Sequence, residues 1–251
     1  MRVAFVGKGG SGKSTIAGTI ARLLARDGEK VLALDVDTLP GLAFSLGMGA
    51  VTDNGLPEDL AERREGKGWV LREDISAEAL VDQHALDAAD GIRFLQLGKL
   101  PGRVKPPSTV AFRHVVDTFR REGWSMVGDL AAGSRQGAYG WAGFASVIVV
   151  VAEPTTAGLL TARRMRHALP DSPATALGLV LNKVRADGAR ARMPDGLDLL
   201  VWAEVPYDAD VAAAERAGHA PIDAAPGSRG VGAIRELLAS LRRVERESKT
   251  P

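Results

Sequence analysis

A glycine-rich stretch, GKGGSGKST, directly follows the short apolar run RVAFV near the start of the sequence. Gly7, Gly12, Lys13 and Ser14 satisfy the pattern G-x-x-x-x-G-K-[ST] of a phosphate-binding loop. Glycines allow the backbone to approach a phosphate group, and the helix that follows adds the positive end of its dipole. The stretch therefore predicts a strand–loop–helix unit that binds a nucleotide.

The residues of this loop have distinct expected roles. Lys13 should reach the β- and γ-phosphates, Ser14 should ligate Mg²⁺, and Thr15 should contact the α-phosphate. The expected nucleotide-binding residues of the loop are Gly7, Gly9, Gly10, Ser11, Gly12, Lys13, Ser14 and Thr15. A glycine turn that only closes a strand–helix unit is the alternative, and the complete motif in this context argues against it.

Short apolar runs alternate with helical patterns along the rest of the sequence. The runs are apolar on both faces, as in buried parallel strands, and lie at residues 2–6, 30–35, 92–98, 125–129, 146–154, 176–184 and 199–206. Helical patterns lie at residues 13–27, 109–122, 156–169, 208–217 and 230–245. The alternation predicts a doubly wound, mostly parallel α/β sheet with helices on both faces. We expect one P-loop ATPase domain over residues 1–251, with a charged tail from about residue 245 and short surface helices in the region 53–91.

Composition excludes several classes of function. The chain of 251 residues contains no cysteine, which excludes thiolate metal sites, iron–sulfur ligation and cysteine nucleophiles. Its net charge of +1 provides no general basic field for nucleic acid. No apolar run approaches the roughly 20 residues that span a bilayer, and the first run is too short for a signal-peptide core. We therefore expect a cytoplasmic protein.

Carboxylates lie at the ends of two predicted strands. Asp35 and Asp37 end the segment LALDVD, and side chains at i and i+2 of an extended chain point the same way. Ligands of open α/β sheets bind beyond the carboxyl ends of the strands. A solvated helix-capping pair is the alternative for these two acids. Asp129 ends the run SMVGD, in which Gly128 predicts a close approach of the backbone near the site.

The stretch KGGSGKST resembles the deviant Walker A motif, K-G-G-x-x-G-K-[ST], of the MinD/ParA family of P-loop ATPases. Four motifs of that family occur in order between residue 2 and about residue 217. The resemblance implies that Lys8 crosses a homodimer interface and contacts the nucleotide of the partner. A cation from a second subunit neutralises charge in the transition state, whereas a second cation beside Lys13 in the same chain adds little. A solvent-exposed loop lysine is the alternative.

The segment DVDTLPGLAFSLG resembles switch I of the family. The resemblance implies that Asp37 orients or activates the attacking water and that Asp35 supports the outer shell of the metal. Thr38 and Gly41 replace the proline and asparagine that are usual there. The expected catalytic residues are thus Lys8, Lys13 and Asp37.

The segment SMVGDLAAG resembles the Walker B and switch II region. The resemblance implies that Asp129 holds an Mg²⁺-bound water and that the amide of Gly133 senses the γ-phosphate. The expected Mg²⁺ site comprises Ser14, Asp35 and Asp129, partly through water.

Two late segments resemble the base-contacting segments of the family. Asn182 and Lys183 lie at the end of the run ALGLVLNKV, where an amide can both donate to and accept from an adenine edge. Pro206 and Asp208 lie on a loop that enters a helix, and a helix N-cap is the alternative role of Asp208. The guanine-specific signature N-K-x-D is not completed after Lys183, which favours ATP over GTP.

The resemblance leaves the cellular role open. The N-terminal third most resembles the accessory ATPase that assists nickel insertion into carbon monoxide dehydrogenase, but the C-x-C metal pair is missing. The corresponding stretch carries Lys99, Arg103 and Lys105, which are poor metal ligands and either dock a partner or form a solvated loop.

Three functions are therefore considered. The first is an ATP-dependent homodimerisation switch with slow, partner-stimulated, Mg²⁺-dependent ATP hydrolysis and an unidentified protein client. The second is an accessory ATPase of metalloenzyme maturation without a cysteine site of its own. The third is a regulatory nucleotide-binding module with low turnover. DNA binding through basic clusters at residues 162–169 and 185–193, and membrane binding through the C-terminal helix, are less favoured.

Overall fold

A computed structural model of the chain describes residues 1–36, 41–50, 55–72, 74–97, 106–130, 140–169, 175–188 and 191–248. Two of the expected site residues, Asp37 and Gly133, lie outside this set. The same holds for the cationic residues Lys99, Arg103 and Lys105.

The strands of the described chain form one large sheet and one small hairpin. In chain order they are β1 (Arg2–Gly7), β2 (Lys30–Asp35), β3 (Ala61–Arg64), β4 (Gly68–Leu71), β5 (Leu86–Asp87), β6 (Arg93–Gln96), β7 (Trp124–Asp129), β8 (Val147–Ala152), β9 (Ala176–Val184) and β10 (Leu200–Pro206). Eight of them build a sheet in the order β10-β9-β8-β1-β7-β2-β6-β5. Its strands pair in parallel, except that β5 is antiparallel to β6 at the edge.

Helices cover both faces of this sheet. They are α1 (Lys13–Arg26), α2 (Leu42–Ser45), α3 (Ala77–His84), α4 (Pro106–Thr118), α5 (Thr156–Ala168), α6 (Ala209–Arg216), α7 (Pro221–Ala224) and α8 (Arg229–Ser248), with short 3₁₀ turns at Glu58–Leu60 and Ala89–Gly91. Side chains of α1, α2 and α8 pack in the core on one face, and those of α3, α4 and α5 pack on the other. The expected doubly wound, three-layer α/β/α fold is therefore confirmed.

The central strand β1 shows why the apolar runs are unbroken. Val3 and Phe5 belong to the core on one face of the sheet, whereas Ala4 and Val6 belong to the core on the other. Successive side chains of a strand point to opposite faces, so a strand covered on both sides needs apolar residues at every position.

The C-terminal helix α8 uses its apolar stripe within the fold. Ile234, Leu237, Leu238 and Leu241 recur at helical spacing and are all buried in the core that α8 shares with α1. This packing agrees with the preferred prediction that the helix covers the sheet. Among the described residues, no helix is both long enough and apolar enough to cross a membrane.

The region 53–91 differs from its prediction as short surface helices. It contains α3, but also the antiparallel hairpin β3–β4, in which Ala61 pairs with Leu71, and the edge strand β5. Gly66 in the hairpin turn and Gly68 at the start of β4 adopt φ values of 73° and 75°, a conformation that glycine takes without strain. The turn is short and lies among charged residues, so periodicity alone did not reveal it.

Candidate nucleotide site

The phosphate loop lies between β1 and α1, at the carboxyl edge of the sheet. Its first residue, Gly7, still pairs with Val151 of the neighbouring strand β8. A Cβ atom on Gly7 would lie 2.5 Å from the carbonyl oxygen of Val151 and 2.6 Å from Oγ of Ser11. The first glycine of the motif is therefore required by close packing against the adjacent strand.

Two further glycines give the loop its shape. Gly10 and Gly12 have φ values of 81° and 87°, in the left-handed region that favours glycine. The N–H of Ser11 donates to the carbonyl of Lys8 at 3.0 Å, and the N–H of Ile16 donates to the carbonyl of Gly12 at 3.1 Å. The second bond closes the first turn of α1, so the loop leads directly into the N-terminus of a buried helix.

Two side chains at the end of β9 donate hydrogen bonds to carbonyl groups of the phosphate loop. Nδ2 of Asn182 donates to the carbonyl of Ser11 at 2.7 Å, and Nζ of Lys183 donates to the carbonyl of Gly10 at 2.6 Å. Lys183 also pairs with Glu153 at 3.0 Å and adopts a φ of 58°. In a trans peptide the C=O and the next N–H point in opposite directions. Holding these carbonyls therefore turns the following N–H groups away from β9.

Asn182 and Lys183 were expected near the base, and the structure shows that both side chains bind the phosphate loop. Glu153 was missed. Its only signal in the sequence was a carboxylate in the Glu-Pro pair after the apolar strand β8. These three residues fix two consecutive peptide groups of the loop, Gly10–Ser11 and Ser11–Gly12.

A buried charged cluster lies below the loop. Nζ of Lys13 is 3.7 Å from Oδ1 of Asp129, and the hydroxyl of Ser14 donates to Oδ2 of the same carboxylate. Lys13 is 4% exposed and Asp129 is fully buried. Burial of a charge without such partners would cost several kcal/mol. The structure thus brings Asp129 against two adjacent residues of the phosphate loop, Lys13 and Ser14, more than 100 positions away in the sequence.

The second carboxylate of this cluster is Asp35. It is fully buried at the end of β2, directly beside Asp129 in the parallel register. Its Oδ2 accepts a hydrogen bond of 3.2 Å from the N–H of Leu42, at the start of α2. A Cβ atom on Gly41 would lie 3.1 Å from Oγ of Ser14. The glycine in place of the usual asparagine thus lets the switch I segment pass close to the loop.

These oxygen donors suit Mg²⁺. Carboxylate and hydroxyl oxygens are hard ligands, and Mg²⁺ retains several waters, so it needs few protein groups. Ser14, Asp35 and Asp129 offer such a set next to a loop that presents its backbone N–H groups. Among the described residues, no group of three or more His, Cys, Asp or Glu side chains is arranged to hold a metal ion. Ser14, Asp35 and Asp129 are the residues that would hold Mg²⁺, partly through water.

A small pocket on the far side of the loop contains the residues expected at the base. Thr15, Asn182, Lys183, Pro206 and Asp208 line it together. The structure thus brings together, at one end of the phosphate loop, the side chains of α1, β9 and the β10–α6 turn. A contact of this pocket with the base stays a prediction.

Asp208 caps a helix. Its Oδ1 accepts hydrogen bonds from the N–H groups of Asp210 at 3.0 Å and Val211 at 3.5 Å, and its Oδ2 accepts one of 2.8 Å from Gly230. Burial opposes ionisation of Asp208, but the hydrogen bonds from Gly230 and the first turn of α6 outweigh it and lower the pKa. This geometry supports the N-cap alternative, and a contact of Asp208 with the base stays a prediction.

Lys8 differs from Lys13 in its surroundings. It is exposed, and no hydrogen bond or ion pair engages its side chain within the part of the chain that the structure describes. It lines a cavity of about 130 Å³ together with Ser11, Glu153 and Thr155. The loop thus carries one lysine buried against a carboxylate and one directed outward.

One further contact in the site had no sequence signal. The hydroxyl of Thr15, which was expected at the α-phosphate, donates to the carboxylate of Glu215 on α6. Glu215 follows three alanines in a predicted helix, where nothing in the pattern distinguishes it from a solvated acid.

The fold and this site define a nucleotide-binding P-loop domain. Residues 3–222 match the family described as the CobQ/CobB/MinD/ParA nucleotide binding domain, and the chain belongs to this family. The predicted relation to MinD/ParA ATPases is therefore confirmed.

Individual relatives agree with this assignment. The chain is 30% identical over 248 residues to the carbon monoxide dehydrogenase accessory protein CooC of Rhodospirillum rubrum, covering 91% of this chain and 92% of the relative. It is 29% identical over 231 residues to an ATP-binding protein of Methanocaldococcus jannaschii, covering 87% and 90%. Among solved structures, the septum site-determining protein MinD of Pyrococcus horikoshii, complexed with Mg-ADP, has a similar fold, with a TM-score of 0.67, 18% identity and coverage of 100% and 99%.

Proposed function

We propose that the protein is an ATPase that works as a dimerisation switch, in which two ATP-loaded subunits close face to face over their nucleotides. The observation that carries the proposal is the contrast between the two lysines of one loop. Lys13 is buried beside Asp129, whereas Lys8 is exposed. A loop that needed only its own cation would have no use for the second.

Binding of the nucleotide is assigned to the loop and its supports. The N–H groups of the loop and the N-terminus of α1 stabilise the phosphates, and Lys13 moves from Asp129 to the β- and γ-phosphates. Asn182 and Lys183 keep the loop carbonyls outward, so that the N–H groups remain aimed inward. Mg²⁺, when bound through Ser14 with Asp35 and Asp129 behind it, supplies neutralisation of the phosphate charge.

Hydrolysis is assigned to residues from both subunits. Water attacks the γ-phosphorus, the bond to the β,γ-bridging oxygen breaks, and ADP and phosphate form. Asp37, by its place in switch I, orients the water. Lys8 of the second subunit stabilises the negative charge that accumulates during this step, as an arginine finger does. Loss of the γ-phosphate then removes the group that both subunits hold, and the dimer opens.

The test separates binding from dimerisation. Lys13→Ala should lose nucleotide binding. Lys8→Ala should retain binding within a few fold but remain monomeric in a non-hydrolysable ATP analogue and lose turnover. Light scattering on a sizing column reports the mass, and calorimetry reports the affinity. Lys67→Ala, at the exposed hairpin turn, is the matched control and should behave as the unmodified protein. A Lys8→Ala protein that dimerises and hydrolyses ATP normally would disprove the switch.

A second candidate function is support of metalloenzyme maturation, which the 30% identity to CooC favours. Because the chain has no cysteine for a thiolate site, we assign the metal to the client. Asp37→Ala should slow hydrolysis and trap the ATP-bound dimer on its client. Recovery of a metal-binding enzyme with this variant in ATP, and its absence with Lys8→Ala, would support the role. Recovery of no metalloenzyme would leave the switch with a different client. A turnover below detection, with and without clients, would instead favour the regulatory module.

A further inference from the structure

Gln96 ends strand β6 and is only 2% exposed, although its side chain carries a polar amide. Within the described part of the chain, its Oε1 atom is buried and accepts no hydrogen bond. Buried polar atoms nearly always have a partner, and leaving one unpaired lowers the stability of the fold. An acceptor kept in this state indicates a donor that comes from outside the chain.

The strand register places Gln96 in one row with the two carboxylates of the candidate metal site. Asp129 of β7 lies beside Asp35 of β2, and Asp35 lies beside Gln96 of β6. The residues two positions earlier on these strands all belong to the core that contains α1: Val127, Ala33 and Phe94. Side chains at i and i+2 of a strand share a face. Asp129, Asp35 and Gln96 therefore lie on the α1 face of the sheet, at its carboxyl edge.

The width of this row matches a hydrated metal ion. Adjacent strands lie about 4.8 Å apart, so the backbones of Asp129 and Gln96, two strands apart, are separated by about 9.6 Å. Mg²⁺ holds its waters at about 2.1 Å and each water donates over about 2.8 Å, so acceptors on opposite sides of the hydrated ion are about 8–10 Å apart. Waters on one ion can thus reach both ends of the row, with Asp35 between them.

An amide fits the end of this row better than a third acid. Asp35 and Asp129 are already buried side by side, and the ammonium of Lys13 lies 3.7 Å from Asp129. Another buried negative charge would carry a large desolvation cost. An amide carbonyl accepts a hydrogen bond without adding charge. Groups that accept from the ligands of a metal orient those ligands and strengthen its binding.

We infer that Gln96 supports the metal of the nucleotide site: its side-chain carbonyl accepts a hydrogen bond from a water bound to Mg²⁺ and holds that water in place. The inference rests on the proposed function, because it requires the binding of nucleotide and Mg²⁺ assigned there. Gln96 is a positioning residue, since it acts on the metal through a water.

The test measures the affinity for ADP by titration calorimetry in MgCl₂ and in EDTA, which separates the contribution of the metal from that of the nucleotide. The unmodified protein should bind ADP more tightly in MgCl₂. Gln96→Met keeps the size of the side chain and removes the acceptor. It should bind ADP about tenfold more weakly in MgCl₂, with an unchanged affinity in EDTA. Gln83→Met, at an exposed glutamine of α3, is the matched control and should bind as the unmodified protein does.

Stability without ligand provides a second readout with the opposite sign. Removal of an acceptor that has no donor should leave the urea midpoint of Gln96→Met at or above that of the unmodified protein. Gln96→Leu has a different shape and should give the same result, which separates the loss of the amide from a misfit of methionine. Lower midpoints in both variants would show that the amide is paired within the fold, and would overturn the inference.

The remaining outcomes are also decisive. An equal loss of ADP affinity in MgCl₂ and in EDTA would place Gln96 at the nucleotide or in the fold, and no loss in either would remove it from the site. Both results would overturn the inference while the proposed function stands. If the unmodified protein binds ADP equally in MgCl₂ and in EDTA, the assignment of the metal fails together with the inference. If the unmodified protein does not bind ADP, the proposed function itself fails.

Discussion

Lys13 and Asp129 form a buried ion pair in which Nζ lies 3.7 Å from Oδ1, and the hydroxyl of Ser14 occupies the other carboxylate oxygen. The pair joins the phosphate loop to the end of β7. In the proposed function, the nucleotide contacts Lys13 and the metal is bound near Asp129. In the structure, the ion pair neutralises the charge of both side chains.

Breaking this pair should affect stability as well as binding. Lys13→Met leaves Asp129 buried without its cation and should lower the free energy of unfolding by about 3 kcal/mol. The double variant Lys13→Met/Asp129→Asn removes both charges and should recover most of that loss, but it should not bind ADP. Urea denaturation measures the free energy of unfolding, and titration calorimetry measures the binding of ADP. Equal stability of the single and double variants would contradict the pairing.

Lys183 at the end of β9 should increase the affinity for ADP through two contacts. Its hydrogen bond to the loop should contribute more than its ion pair with Glu153. Lys183→Met loses both the bond to Gly10 and the ion pair with Glu153, and should weaken ADP binding about tenfold. Glu153→Gln loses only the ion pair, whose side chains are 40% and 37% exposed, and should cost about twofold. Calorimetry gives the affinities.

Lys183→Gly provides the control for backbone strain, because glycine accepts the φ of 58° without strain. Its affinity should match that of Lys183→Met, since both lack the ammonium group. An affinity at the unmodified level in either variant would show that the ammonium does not position the loop.

Asp208 should contribute stability in a pH-dependent manner. Its pKa is lowered in the folded protein, so its contribution is present above the unfolded pKa and is lost as the pH falls through the folded pKa. Asp208→Ala removes the cap of α6 and should cost about 1 kcal/mol at neutral pH, with the difference shrinking in acid. Urea denaturation at a series of pH values measures it. Asp210→Asn is the control, because the cap of α6 is Asp208 and not Asp210. Its stability should differ from that of the unmodified protein by a similar amount at every pH.

Gly128 should matter for the core and not for the ligand. The sequence predicted a close backbone approach near the site, but a Cβ atom here would lie 2.7 Å from Cζ of Phe144, which belongs to the core on the α4 face. Gly128→Ala should lower the melting temperature while the folded protein keeps its ADP affinity. Adding Phe144→Leu should restore part of the loss. A lower ADP affinity at full stability would place the glycine back in the site.

Local sequence patterns predicted the layers of the fold well. The apolar runs located seven strands of the sheet because burial on both faces leaves no polar positions in a strand such as β8. The hairpin β3–β4 was not predicted because each strand has only four residues, β3 is mostly charged, and only Gly66 and Gly68 mark the turn. Such turns are defined by backbone dihedral angles, and the spacing of apolar residues in the sequence does not report those angles.

For the candidate site, the sequence predicted several of the residues but not the contacts between them. The motifs identified Lys13, Ser14 and Asp129, and the structure brings them together. The contacts of Asn182 with Ser11 and of Glu215 with Thr15 were not foreseen, because they join residues 171 and 200 positions apart. Contacts of this kind depend on how β9 and α6 lie over the loop, which one sequence without its fold does not specify.

The dependence of the phosphate loop on Asn182 and Lys183 has a consequence for biosynthesis. The phosphate-loop motif is synthesised more than 170 residues before the side chains that hold its carbonyls. A nascent chain that ends before β9 contains the whole motif but lacks the two side chains that hold the loop carbonyls. The loop therefore acquires these supports only after translation has passed β9.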